Sequence, residues 1–198
     1  MGRKTPWISL GLLGLASACG GRAEVFGAPP GACGAVSAAE PLEGAGHVPN
    51  CYPLSFESNP PSSGAHYENW AAHGVYPSPL PRGFWVHNLE HGAIVLTYNC
   101  DDGCPDEVAR AEQLMDELPP DASCPGGRRV LLVPDPLLDV RWAASAWGYT
   151  LRADCFDPGT FLGFYVQHYA KAPEDVCSEG VELRQPDGSL DLPPGCGQ

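Results

Sequence analysis

Positive charge is scarce in this chain: 11 Lys and Arg stand against 24 Asp and Glu in 198 residues, a formal net charge of −13. A surface of that sign repels phosphate backbones, which excludes nucleic acid as a partner, and solubility is the plainer reason for the acidity. The chain has no Gly-rich phosphate loop, no serine in a G-x-S-x-G setting and no C-x-x-C-H heme attachment. Nucleotide chemistry of the P-loop kind, α/β-hydrolase chemistry and covalent heme are therefore excluded as readings. Long apolar runs are absent too. The best of them, Pro6 to Ala18, falls short of the roughly 20 residues that a membrane-spanning helix needs.

That short run has another use. It follows Gly2, Arg3 and Lys4 and reaches Cys19 through Leu15-Ala16-Ser17-Ala18. Basic, then apolar, then small residues spell an export signal, assigned to residues 1–18. A cysteine directly after the small residues, with Gly20 and Gly21 behind it, resembles a bacterial lipobox, although Ala16 stands where Leu is usual. The expectation is a diacylglyceryl group on Cys19, and with it a membrane partner through the N-terminal lipid. The alternative is an ordinary cleavable signal with an incidental cysteine. Cleavage would remove Arg3 and Lys4 and leave 9 basic against 24 acidic residues, a charge of −15.

Cysteine usage agrees with export. Nine cysteines are odd; without Cys19 there remain Cys33, Cys51, Cys100, Cys104, Cys124, Cys155, Cys177 and Cys196. An even set in an exported chain reads as disulfides in an oxidising compartment, with the pairing left open by sequence.

Residues 19–49 are Gly, Ala, Pro and Glu with few large apolar side chains, a composition that cannot offset the entropy of ordering, and read as a tether. Cys33 is the exception, pairing with Cys51 as one candidate. Residues 50–176 read as a single domain. Its first part is ordered but irregular, rich in Pro and aromatics that need packing partners, with a helical turn over Tyr67–His73 ending at Gly74. Ala93–Tyr98 is a buried strand by its β-branched apolar run. Pro105 in a first-turn position, Asp106 and Glu107 near the helix N-terminus, and apolar residues at helical spacing predict a helix over Pro105–Leu118. Arg129–Val133 is a second strand, Val140–Leu151 a third that pairs with it, and Asp157-Pro158 starts a last helix through Tyr169. Residues 177–198 form a tail held by Cys177 and Cys196. The fold class is α+β: one compact domain with a small, mostly antiparallel sheet, two main helices and a long Pro/aromatic-rich N-terminal segment.

Chemistry concentrates between Asn59 and Tyr98. His66 follows a Ser-Gly turn, and His87 and His91 bracket Glu90. Neutral imidazole is the commonest protein ligand for zinc, copper and nickel, and such sites join two closely spaced histidines to a distant third. His87 and His91 share one side of a helical turn if the stretch is helical, or sit at a pocket mouth if it runs on into the strand. Glu90 is then a fourth ligand, an orienting acceptor or a general base. The competing reading is structural: histidines beside aromatics and tight turns often have both nitrogens bonded to backbone carbonyls. His47, His73 and His168 stand alone, with His73 a fringe candidate.

The segments NPPSSGAHYENW, GVY, VHNLEHGAIVLTYN, AWGYTL and FDPGTFLGFYVQHYAKAPE resemble a family of exported bacterial proteins catalogued as domain of unknown function family 3105. The likeness covers about Asn59 to Glu174. It implies an exported or membrane-attached single domain, with the family's signature histidines falling on His66, His87 and His91 and with Glu90 beside them. Cys100 and Cys104 stand where a plain loop is usual.

The leading expectation is a transition-metal site, copper or zinc, held by His66, His87 and His91 with Glu90 in support, on a lipid-anchored protein of the cell envelope. Three rivals remain. One is a non-metal binding or structural module. Another is a metal-dependent hydrolase, since His87-Asn88-Leu89-Glu90-His91 spells H-x-x-E-H with Glu90 as base and Glu174 as a nominal later ligand. The third takes the strand, Cys100-Asp101-Asp102-Gly103-Cys104-Pro105 and helix as those of a thioredoxin-like copper chaperone, two thiolates holding Cu(I). Binding is preferred over catalysis, and no protein partner is indicated.

Overall fold

The computed structural model describes residues 1–2, 26–27, 33–101, 103–124 and 127–196. Cys19 and all of the export signal beyond Gly2 lie outside the described residues. The elements, in order, are β1 (Phe26–Gly27), β2 (Val36–Ala39), β3 (His47–Val48), β4 (His66–Tyr67), β5 (Gly74–Val75), α1 (Arg82–Glu90), β6 (Ile94–Tyr98), α2 (Pro105–Glu117), β7 (Val130–Pro134), β8 (Trp142–Ala146), β9 (Tyr149–Ala153) and α3 (Pro158–His168).

Seven strands form one sheet in the order β1-β2-β9-β8-β6-β7-β5, and β3 pairs with β4 in a separate two-stranded ladder. Within the large sheet, only β6–β7 and β5–β7 are parallel. The fold is therefore α+β with a mostly antiparallel sheet, as the sequence predicts. The central strands β6 and β7 are buried on both faces, which is why they read as continuous apolar runs. Alternate residues serve two cores. Ile94, Leu96, Val130 and Leu132 face the layer of α2 and α3, with Ala111, Leu114, Phe161 and Phe164. Val95, Leu131 and Val133 face the opposite layer, with Phe84, Trp85, Val86 and Leu89 of α1.

The two expected helices begin where their caps say. Pro105 opens α2 with Asp106 and Glu107 in its first turn, and the Asp157 side chain caps α3 by accepting from the Thr160 amide at 2.8 Å. The third helix, α1, carries the histidine motif.

Three local expectations are corrected. Val140–Leu151 is a hairpin, not one strand: the chain turns at Trp147-Gly148, with Gly148 at φ +74°, and β8 pairs antiparallel with β6 rather than with β7. Tyr67–His73 is not a helical turn. Tyr67 lies in the ladder opposite Val48, Ala71 bridges to Val181, and the Asn88 side chain bonds both the amide and the carbonyl of Ala71, at 3.1 and 2.9 Å. Those partners hold the segment extended.

The third correction concerns the stretch expected as a tether. Both Phe26–Gly27 and the chain from Cys33 onward belong to the fold, because β2 pairs with β9, Val36 opposite Arg152 through Ala39 opposite Tyr149, and β1 pairs with β2 on its other side. Main-chain pairing needs no large apolar side chain, so composition gave no sign of it.

The disulfides are Cys33–Cys155, Cys51–Cys196, Cys100–Cys104 and Cys124–Cys177. Cys33 thus pairs with Cys155, at the end of β9, and not with Cys51. Four bridges mark an oxidising, extracytoplasmic setting. The tail is tied by two of them and also packs, with Leu183 fully enclosed at 2% exposure. No helix among the described residues is long and apolar enough to cross a membrane.

The bridges differ in what they constrain. Cys51 and Cys196 are 145 residues apart, and Cys100 and Cys104 only 4. Replacing Cys51 and Cys196 together by Ser is expected to lower unfolding free energy by about 2–5 kcal/mol. The same change at Cys100 and Cys104 should cost distinctly less, because the loop it closes is so short. Urea unfolding of the two double variants checks the order.

Candidate metal centre

Helix α1 spans nine residues, and every one from Gly83 to Glu90 is buried. It is wedged between the sheet and the irregular 51–81 segment, and glycine permits the fit. A Cβ on Gly83 would lie 2.7 Å from Leu54 Cδ1 and from the Tyr67 ring. At the other end His91 is the C-cap and Gly92 takes φ +83°, with Ala170 Cα 2.9 Å from where a Cβ would sit. The chain therefore leaves the helix in a left-handed turn and enters β6 at once. One helical turn presents His87, Glu90 and His91 at i, i+3 and i+4 spacing on one side.

His66 arrives from β4, and β4 brings a neighbour. In the β3–β4 ladder His47 is in register with His66. The rings of His47, His66 and His87 form a triangle with all three centroid separations at 4.7 Å.

Hydrogen bonds decide which nitrogens face inward. His66 Nδ1 lies 2.9 Å from the Gly64 carbonyl oxygen and His87 Nδ1 lies 2.6 Å from that of Tyr67. A carbonyl can only accept, so both Nδ1 atoms carry hydrogen and donate, and in the neutral rings Nε2 is the lone pair. The Nε2 of His66 points at Glu90 Oε2 across 3.0 Å, and that of His87 at His47 Nε2 across 3.4 Å. His47 Nε2 is 3.6 Å from the same Glu90 oxygen. Opposed lone pairs at such distances call for protons or a metal ion between them.

The spacing suits a metal. A tetrahedral ion with bonds of about 2.0–2.1 Å separates its ligand atoms by about 3.3–3.4 Å, and three of the six pairs, at 3.0, 3.4 and 3.6 Å, lie close to that. One ligand atom from each of His47, His66, His87 and Glu90 lies within 4.8 Å of every other. The group can hold a metal ion. Three of its members are buried, whereas the His47 side chain is 45% exposed, so the group opens on His47. An open cleft of about 540 Å³ begins there, lined by His47, Glu68, Trp70, His87, His91 and Glu174 among others.

Of the residues singled out by sequence, His66, His87 and Glu90 come together. His91 does not join them; it forms a second group with Glu90 and Glu174, its Nε2 3.3 Å from Glu174 Oε2. The third imidazole of the first group is His47, which sequence reasoning placed alone in a turn. Its only signal is a two-residue strand in register with His66, too short to be legible without the pairing. The reading with both nitrogens of each histidine spent on backbone carbonyls does not hold, since only Nδ1 is so engaged in His66 and His87. His73 and His168 belong to neither group. Trp70 packs against His87 and His91 at ring separations of 4.9 and 4.6 Å, so this tryptophan lines the site, while Trp85 and Trp142 are core.

The rival sites fare differently. H-x-x-E-H here sits on a short helix that ends at Glu90, and its two histidines fall in different groups. The strand, C-x-x-x-C-P and helix do lie in a parallel β6–α2–β7 unit. However, Cys100 and Cys104 are bonded to each other, and a disulfide offers no thiolate to Cu(I).

Burial also sets the charge state. Desolvation drives the His87 imidazole from its ordinary value near 6.5 down to about 3, and His91 is lowered by the same cause against the pull of Glu174 and Glu90. His73, desolvated and beside Arg129 and His91, falls to about 4. For each of these the folded value lies below the unfolded one. As pH falls through 6.5 the unfolded chain gains protons that the folded protein refuses, so stability is full above pH 6.5 and declines between there and pH 3–4. In metal-free protein the urea midpoint is expected to drop steadily from pH 7 to pH 4, and less steeply in His87→Gln. A midpoint flat over that range would refute the buried neutral imidazoles.

No curated protein and no solved structure matches this chain. A family model does, over residues 47–180, a span that starts on His47 and encloses Glu174, and so takes in every residue of both groups. The chain belongs to the family described as protein of unknown function DUF3105.

Proposed function

We propose that this protein is an exported, lipid-anchored module that binds one transition-metal ion, zinc or copper(II), through His47, His66 and His87 Nε2 and a Glu90 carboxylate oxygen. The observation that carries the reading is the orientation of His66 and His87. Each ring spends Nδ1–H on a main-chain carbonyl and turns Nε2 toward the other members of the group, His66 to Glu90 Oε2 at 3.0 Å and His87 to His47 Nε2 at 3.4 Å. Imidazole and carboxylate are the donors that zinc and copper(II) favour. The carbonyls of Gly64 and Tyr67 orient the ligands and raise their basicity, as outer partners of metal-bound histidines do. Binding is preferred over hydrolysis because the two histidines of H-x-x-E-H fall in different groups.

The test is metal content and affinity in protein purified without a histidine tag. Near one equivalent of zinc or copper is expected. His66→Ala and His87→Ala should each weaken binding by roughly 100-fold or more, beyond the 10–100-fold typical of outer-partner loss. His47→Ala should do the same while disturbing the fold least, since His47 is the exposed member. Protein that takes up neither metal, or variants that bind as the parent does, would sink the reading.

Anchoring rests on the sequence of residues 1–19. Expressed with its own leader, the protein is expected in the membrane fraction, and Cys19→Ser should release it to the soluble extracytoplasmic fraction. Equal partitioning of the two would leave only a cleaved signal.

A further inference from the structure

We infer that the centre is built for two metal ions, with the Glu90 carboxylate bridging the first site to a second formed by His91 and Glu174. This rests on the reading of the first group as a metal site.

Glu90 belongs to both sets of converging ligand atoms, with His47, His66 and His87 on one side and with His91 and Glu174 on the other. The helix brings the three side chains together: Glu90 follows His87 by three residues and precedes His91 by one, and the His87 and His91 rings touch edge to face with centroids 4.6 Å apart. Glu174 is brought in by the chain beyond α3, where its amide donates to the Glu90 carbonyl at 3.1 Å. Two carboxylates are thereby gathered about a single imidazole.

An independent observation concerns His91 itself. The residue is 6% exposed; its Nε2 faces Glu174 Oε2 at 3.3 Å, and its Nδ1 is buried with no hydrogen-bond partner. His66 and His87 spend the corresponding nitrogen on a carbonyl, whereas His91 has neither a carbonyl to fix its tautomer nor a second partner. An imidazole enclosed beside two carboxylates, with one nitrogen unclaimed, is a donor waiting for a cation.

Both sites face the same cleft, which His47, His87, His91 and Glu174 line together with Trp70. The sites are unlike in chemistry. Three imidazoles and a shared carboxylate make the first the softer one, whereas one imidazole and two carboxylates make the second harder and more open, since the Glu174 side chain is 52% exposed. The second is accordingly the weaker site, filled after the first by a divalent first-row cation.

Zinc bound by the metal-free mature protein, measured by elemental analysis after equilibrium dialysis, should reach two equivalents in the parent and one in Glu174→Gln and in His91→Gln. Glu174 is half exposed, so Glu174→Gln retains the fold, to be verified by circular dichroism. With copper(II) at two equivalents, the electron paramagnetic resonance intensity should fall short of the copper content, because a carboxylate bridge couples the two spins. A parent that saturates at one equivalent, variants that still take two, or two equivalents with full uncoupled intensity would each overturn the bridge while leaving the first site standing. A parent that binds neither zinc nor copper(II) would overturn both.

Discussion

Two hydrogen bonds from imidazole to main chain decide which way the histidine cluster faces. Were His66 Nδ1 not spent on the Gly64 carbonyl, and His87 Nδ1 not on that of Tyr67, either ring could rotate or change tautomer and the pocket would be one more set of satisfied core histidines. Both acceptors come from the same irregular segment, 51–81, and the fold holds that segment by close approach rather than by regular structure. Gly83 lets the Tyr67 ring lie against α1, and Asn88, one residue beyond His87, clasps the backbone of Ala71. The helix that supplies His87 thus also grips the chain that orients it.

That arrangement explains which parts of the molecule could be read from residue order. Helices α2 and α3 announce themselves through Pro105 and Asp157-Pro158 at their starts, and β6 and β7 through unbroken β-branched runs that only a strand buried on both faces would carry. Helix α1 gives no comparable sign. Buried along nearly its whole length, it has no polar stripe to set a period of 3.6, and Pro81 provides no side-chain cap. His87, Glu90 and His91 were legible as a chemical group because their spacing works in a turn. His47 was not, because its membership depends on a parallel ladder two residues long.

Strand β2 was hidden for a related reason. Val36–Ala39 contributes main-chain hydrogen bonds and a nearby disulfide rather than apolar area, so a composition that describes a tether also describes a strand held by its pairing. Where a segment is stabilised by what it pairs with and not by what it buries, the sequence alone carries little of the information.

The second half of the site depends on a different group, Arg129, at the entry to β7. Its guanidinium is 2% exposed and donates to the His91 carbonyl at 2.8 Å, to Asp121 at 3.0 Å and to Asp175 at 2.5 Å. A buried cation without partners is costly, and a change that stranded it would be destabilising, so these contacts act as a joint. On one side the joint fixes the backbone of His91 where α1 ends; on the other it fixes Asp175, next in sequence to Glu174. The Cys124–Cys177 bridge closes the same region covalently, tying the chain just past Asp121 to the chain just past Asp175. His91 and Glu174 come from elements far apart in sequence. Arg129 gives them a common reference within the fold, as the two carbonyls do for His66 and His87.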